Sequence, residues 1–154
     1  MTKLPSSTHT GSTKDIADFV ATIPYCVHLG LSVLREQGRL VLKMPFGEHL
    51  VGNPLLPALH GGAISSLLEA AAVVEVMHKF DCLRPPQPVS INFEYLHSGR
   101  ATTSFATAQV AQLGRRLVNV EVRMWQEDEA KPIAVLRGQF LLRPQSSTAQ
   151  SDKV

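Results

Sequence analysis

Cysteine is scarce in this chain, and its scarcity excludes two kinds of protein. The 154 residues contain only two cysteines, Cys26 and Cys82. They show neither the close spacing of a zinc site nor the density of a disulfide-stabilised secreted domain. The six histidines are scattered and add no cluster of ligands. We therefore expect a reduced, cytoplasmic setting and no bound metal.

Long apolar runs and blocks of positive charge are missing as well. No apolar stretch approaches the roughly 20 residues that span a membrane, and the polar start of the chain does not resemble a signal peptide. The net charge is only +2, and no block of five or more Lys and Arg occurs. We expect neither a membrane nor a nucleic acid as partner.

Length and composition indicate one soluble domain with its own core. Hydrophobic residues make up 44% of the chain and charged residues 18%, both ordinary values for a globular domain of this length. The polar ends are expected to be flexible tails over residues 1–13 and 144–154. The domain itself is expected to span residues 14–143.

Apolar periodicity predicts two helices, at residues 14–20 and 63–79. Alternation with period two, together with turn residues, predicts six strands, at residues 31–36, 39–45, 89–95, 101–113, 117–125 and 133–142. Short turns between consecutive strands predict antiparallel neighbours. The fold class is therefore α+β, with the long helix lying on a six-stranded antiparallel sheet. One helix cannot cover both faces of such a sheet, which favours a dimer or tetramer.

The long helix carries three kinds of side chain around its circumference. At about 100° per residue, one stripe is apolar and is expected to face the sheet. This stripe consists of Ile64, Leu67, Ala71, Val74 and His78. A second side, with Leu68, Glu75 and Lys79, is expected to face water. Opposite the apolar stripe, Glu69 is surrounded by Ser65, Ser66, Ala72, Val73 and Val76.

Glu69 is an unusual carboxylate in this setting. A solvated glutamate on a helix normally has Lys or Arg three or four residues away, and here those positions hold Ser, Ser, Ala and Val. A partly desolvated, unpaired carboxylate with raised proton affinity would suit a general base or a nucleophile. A surface glutamate in an Ala-rich helix explains the pattern equally well, so both interpretations stay open.

The turn before the helix offers a second chemical feature. Gly61 and Gly62 stand where the first helical N–H groups lack partners, and such amides can hold a developing oxyanion. His60 could cap the helix, fix the loop or bind a carbonyl oxygen. Glu69 is about 12 Å along the helix axis from this turn. A substrate would have to lie along the helix, or the second group must come from another subunit.

The segment LHGGAISSLLEAA, at residues 59–71, resembles the His-Gly-Gly signature of hotdog-fold acyl-CoA thioesterases of the phenylacetate-degradation and hydroxybenzoyl-CoA types. The resemblance extends over residues 15–142 and includes GRRLVNVEVRMW in the later strands. It implies a curved sheet wrapped around one helix, and hydrolysis of an acyl-CoA thioester to the acid and CoA. It implies no cofactor, because coenzyme A is part of the substrate. It also implies a homodimer with the active site at its interface, assembled into a homotetramer.

The resemblance implies a role for each of five residues. Glu69 would be the nucleophile, or the base that activates a water. The Gly61 amide would polarise the thioester carbonyl, and His60 would support the placement of that carbonyl or of the loop. Asn53 would orient the water or the carbonyl, and Ser90 would assist from the partner subunit.

Surface arginines are candidates for holding the nucleotide part of CoA. They are Arg84, Arg100, Arg115 and Arg116. For each of them taken alone, a solvated turn residue is the favoured explanation.

Two other functions of the same fold remain open. Hydroxyacyl-thioester dehydratases use a His and a helix Glu, for which His49 and Glu69 are the candidates here. A non-catalytic hotdog protein that binds acyl-CoA is the other alternative.

Overall fold

One long helix lying on a six-stranded antiparallel sheet makes up most of the protein. The computed structural model describes residues 13–82, 84–113 and 116–143. The helices are α1 (Thr13–Thr22), α2 (Pro24–His28) and α3 (Gly61–Phe80), with a 3₁₀ turn at Glu48–Leu50. The strands are β1 (Ser32–Glu36), β2 (Arg39–Met44), β3 (Val51–Asn53), β4 (Ala58–Leu59), β5 (Gln87–Tyr95), β6 (Ser104–Leu113), β7 (Leu117–Trp125) and β8 (Ala134–Leu141). The expected tails are residues 1–13 and 144–154, and all of these except Thr13, the first residue of α1, lie outside the described residues. The domain boundaries stay a prediction.

The sheet confirms the α+β class and the hotdog arrangement, with strand order β1-β2-β6-β7-β8-β5. One prediction is wrong, because β5 does not pair with β6, the next long strand. It pairs with β8, with Gln87 opposite Leu141 and Tyr95 opposite Ala134. The loop after β5 does not turn back as a hairpin, since the N–H of Leu96 donates to the Ile133 carbonyl at 2.9 Å, just before β8. The strand β5 is therefore an edge of the sheet.

Helix α3 is buried more widely than one apolar stripe predicts. The expected stripe is confirmed for Ile64, Leu67, Ala71 and Val74, which are buried, whereas His78 is half-buried. The prediction that Leu68 faces water is wrong, because Leu68 is fully buried.

Curvature of the sheet explains the additional burial on α3. The helix contacts β2, β6, β7 and β8, so strands meet it over a wide arc. Glu75 is half-buried on the same margin, and loss of water raises its pKa although Lys79 and His78 attract its charge. Only Lys79 on this side is exposed as expected.

The N-terminal segment folds as α1 and α2 and packs against β1 and α3. Its buried apolar side chains include Ile16, Val20 and Cys26. Pro24 stands in the first turn of α2, where a missing N–H costs nothing. The segment forms a wall that faces one side of α3. None of the described helices is long and apolar enough to cross a membrane.

Candidate active site

The turn that starts α3 is held by hydrogen bonds from two loops. The N–H of Leu59 donates to the Gly99 carbonyl at 2.9 Å, and the N–H of His60 donates to the Leu50 carbonyl at 2.7 Å. A Cβ on Gly52 would lie only 2.7 Å from the His60 Cα. The preceding strand can approach the turn this closely only because it carries glycine there.

His60 is the N-cap of α3. Its Nδ1 accepts a hydrogen bond of 2.9 Å from the Gly62 N–H. In the neutral ring the proton is therefore on Nε2. Of the roles considered for His60, the structure shows the capping role. The Gly62 N–H is therefore already used in a hydrogen bond within the turn.

The Gly61 amide is left as the free donor of the turn. Its N–H has no acceptor within residues 13–82, 84–113 and 116–143. The carbonyl of the same residue accepts a hydrogen bond of 3.2 Å from the Tyr95 hydroxyl. Sequence reasoning missed Tyr95, because alternation in a strand gives no sign of a contact 34 positions away.

Glu69 lies in the third turn of α3 and is half-buried. Its carboxylate has no hydrogen bond or ion pair to any described residue. Ser66 and Val73, expected nearby, are also half-buried on this side. Ala72 and Val76, expected in the same group, are fully buried instead, because the curved sheet reaches that side of the helix.

A cavity of about 250 Å³ lies between the α1–α2 segment and α3, with Glu69 in its lining. Most of the surrounding side chains are apolar or weakly polar. They include Phe19, Ile23, Tyr25 and Cys26 from the N-terminal segment and Ala70 and Val73 from α3. Burial raises the pKa of the Cys26 thiol, so this thiol is neutral at pH 7. Glu69 therefore combines an unpaired carboxylate with an apolar space.

The remaining catalytic candidate, Asn53, is exposed at the end of β3. Its Oδ1 accepts a hydrogen bond of 3.0 Å from the Leu55 N–H. The side-chain carbonyl thus stabilises its own turn. Asn53 is not among the residues that line the cavity.

The other binding candidates are distributed over the two ends of the sheet. Ser90, exposed on β5, lies opposite Gln139. Arg84 and Arg116 are exposed; Arg84 lies in the connection before β5, and Arg116 directly precedes β7. This end of the sheet is remote from Gly61 within one chain, because a 20-residue helix is about 30 Å long.

Arg100 and Arg115 complete the set of arginines. Arg100 lies near the Gly61 end and forms an ion pair of 2.5 Å with Glu127. Arg115 lies outside the described residues.

His49 is not among the residues that line the cavity of Glu69. Its Nε2 lies 2.9 Å from the His28 carbonyl oxygen. Its ring packs edge-on against the His28 ring, with 4.8 Å between centroids.

Residues 53–142 match the model of the acyl-CoA thioesterase N-terminal domain family. The match covers more than half of the chain. The chain belongs to this family. The expected relationship to hotdog-fold thioesterases is thereby confirmed, and the protein is a thioesterase.

Solved structures resemble this thioesterase over most of its length. A Chromobacterium violaceum protein is 37% identical and aligns with 84% of this chain and 90% of its own, with a TM-score of 0.68. The Escherichia coli PaaI protein from the phenylacetic acid degradation operon is 21% identical (86% and 94% covered, TM-score 0.72). A Bacillus halodurans protein solved with CoA is 20% identical (90% and 98% covered, TM-score 0.68). The similarity to the Escherichia coli and Bacillus halodurans structures concerns the fold alone. No curated protein matches the chain.

The family match leaves out one wall of the cavity. It begins at residue 53, whereas Phe19, Ile23, Tyr25 and Cys26 stand before that position. Apolar periodicity predicts a helix there, but it does not predict that the helix faces Glu69 across a cavity.

Proposed function

We propose that this thioesterase hydrolyses an acyl-CoA thioester, with Glu69 as nucleophile or as the base that activates a water. The observation that carries the proposal is an unpaired, half-buried carboxylate that lines an apolar cavity. Attack at the carbonyl carbon would form a new C–O bond and place negative charge on the carbonyl oxygen. The free Gly61 N–H is suited to stabilise that oxygen. The C–S bond then breaks. If water is the nucleophile, its proton passes by way of Glu69 to the departing sulfur, and the acid and the CoA thiol are released. If Glu69 is the nucleophile, a water molecule then cleaves the mixed anhydride formed on Glu69, which releases the acid, restores the carboxylate and supplies the proton that the CoA thiolate takes up.

Coenzyme A as the leaving group is supported by the family and by one structural relative. The family model describes acyl-CoA thioesterases, and the Bacillus halodurans relative was solved with CoA. Arg84 and Arg116 are exposed and could bind the phosphates of the nucleotide. They would have to do so from a neighbouring subunit, since they lie at the opposite end of α3 from Gly61.

A homodimer is part of the proposal, because one chain cannot complete the site. Gly61 and Glu69 are about 12 Å apart along one helix, too far for both to act on one carbonyl group. The nine-residue edge strand β5 is largely exposed, with Val89 58% and Tyr95 53% accessible. Such an edge tends to pair with another strand.

Antiparallel pairing of β5 with a second copy would reverse the direction of one chain relative to the other. The Ser90 half of one strand would then lie beside the Tyr95 half of its copy. The Gly61 turn of one subunit would thereby approach the helix of the other. A further step to a tetramer remains a prediction.

The test is thiol release from a panel of acyl-CoAs by the purified protein and by Glu69→Gln. Loss of general-base or nucleophilic function should lower kcat by about 10²–10⁴-fold. Unchanged turnover in Glu69→Gln would overturn the role of this residue. A change in enoyl absorbance without thiol release would identify a dehydratase instead. Binding of acyl-CoA with no turnover by the wild type would identify a non-catalytic protein.

A further inference from the structure

We infer that the cavity between the α1–α2 segment and α3 receives the acyl group, and that Phe19 and Ile23 limit its size. The substrates would then be thioesters of compact acyl groups that carry no negative charge. This inference rests on the hydrolysis proposed above, and it goes further by naming the class of acyl group and the residues that select it.

The charge of the cavity lining excludes a negatively charged acyl group. Glu69 is the only charged side chain among the described residues that line the cavity. An acyl chain ending in a carboxylate would find no cation there and would be repelled by Glu69. An unpaired charge in such surroundings costs several kcal/mol, about a thousandfold or more in binding.

The volume of the cavity limits the acyl group from above. A cavity of about 150 Å³ in another protein accommodates benzene. The 250 Å³ available here therefore suits a phenyl ring with a short linker, or a linear chain of similar volume. A long fatty acyl chain would exceed this space and extend from the open side of the cavity into solvent. Phe19 and Ile23 form part of that wall and are half-buried.

The selecting wall lies outside the segment that defines the family. Phe19 and Ile23 precede residue 53, where the family match begins. Relatives that share α3 and the strands can therefore differ in acyl preference through the N-terminal segment alone.

The first test compares Phe19→Ala with a matched control, Phe105→Ala. Phe105 is half-buried on β6 and stacks on Trp125 with 6.0 Å between centroids, away from the cavity. The measured quantity is kcat/KM for acetyl-, hexanoyl-, phenylacetyl-, succinyl- and palmitoyl-CoA. The wild type should prefer hexanoyl- and phenylacetyl-CoA over acetyl-CoA, by about fourfold per buried methylene. It should reject succinyl-CoA. The phenylacetyl and hexanoyl results separate an aromatic from a linear preference.

Phe19→Ala should raise the ratio of palmitoyl to hexanoyl activity by about tenfold, and Phe105→Ala should leave the ratio unchanged. Val73→Phe, which fills the cavity from the opposite side, should shift the preference towards acetyl-CoA. Ratios that stay constant in both cavity variants would overturn the inference even if hydrolysis is fast. If Phe19→Ala does not fold, Val73→Phe answers the same question.

A second test does not depend on turnover. Cys26 lines the cavity, whereas Cys82 does not. A non-hydrolysable hexyl-CoA thioether should slow alkylation of Cys26 by iodoacetamide about fivefold or more and leave Cys82 unaffected, as read by peptide mass spectrometry. Protection of Cys26 in a protein without hydrolysis would support the cavity and refute the proposed function. Hydrolysis without protection would refute the cavity as the acyl site and leave the proposed function standing.

Discussion

The two faces of α3 differ in what covers them, and this difference separates stability from chemistry. On the covered face Leu67, Leu68, Ala72 and Val76 are fully buried against the sheet. On the open face Glu69 remains half-buried and borders a cavity. Burial of apolar surface drives folding, whereas an unpaired carboxylate contributes little to it. Substitutions on the two faces should therefore have opposite consequences.

The largest expected effect belongs to the open face. Glu69→Gln should lower kcat for thiol release by at least about a hundredfold, while the free energy of unfolding changes by less than about 0.5 kcal/mol. Glu36→Gln, at an exposed site on β1, is the matched control and should retain full activity. If Glu69→Gln instead unfolds the protein and Glu36→Gln does not, the claim that the open face serves chemistry and not stability is refuted.

On the covered face Leu67→Ala should cost about 2–5 kcal/mol of unfolding free energy, because it leaves a cavity in the core. Urea denaturation measures this loss. The activity of the molecules that remain folded should fall by less than about threefold, since the residue does not border the cavity that holds Glu69. Leu55→Ala is the control, because Leu55 is 92% exposed and should change stability by less than about 0.5 kcal/mol.

Tyr95→Phe should have an intermediate effect at the turn where α3 begins. It removes the hydroxyl that donates to the Gly61 carbonyl, which is worth about 0.5–1.5 kcal/mol. Looser placement of the Gly61 amide should lower kcat about three- to tenfold with KM nearly unchanged. Steady-state kinetics measure kcat and KM separately. A rise in KM at constant kcat would mean that Tyr95 binds substrate and does not position the turn.

The smallest expected effect lies at the margin between the two faces, at Glu75. Desolvation raises its pKa in the folded state. Since the folded protein then holds the proton more tightly than the unfolded chain, Glu75 favours folding at low pH. This contribution is lost as pH rises from the unfolded pKa through the folded pKa.

Glu75→Gln should accordingly stabilise the protein at pH 7 by less than about 1 kcal/mol, or about 1–3 °C in Tm. At pH 4 the gain should disappear. Thermal denaturation at the two pH values tests this. A destabilised variant at pH 7 would show that the attraction from Lys79 and His78 outweighs the desolvation of the carboxylate.

Much of the fold could be predicted because it follows from local patterns. The expected helix at 63–79 is observed as Gly61–Phe80, and the expected strand at 117–125 is observed as Leu117–Trp125. Periods of 3.6 and 2 residues are properties of single segments. The pairing of β5 with β8 could not be predicted in this way, because it depends on where a loop crosses the end of the sheet.

The candidate site shows the same difference between features set by local sequence and features set by distant segments. Glu69, Gly61 and His60 could be singled out from residue types and spacing within one turn and one helix. Tyr95 and the cavity wall around Phe19 could not, since both reach the site from segments far away in the chain.

The sequence by itself determined the long helix, the approximate positions of the six strands of the main sheet, the glycine turn and a helix glutamate, Glu69, with no basic residue three or four positions away. Those features depend on side-chain spacing and backbone preferences within a few residues. Only the tertiary structure decided that Leu68 is buried, that β5 is an open edge and that the N-terminal helices face Glu69 across a cavity. These properties arise when distant segments pack together, and spacing along the chain does not encode which of them will meet.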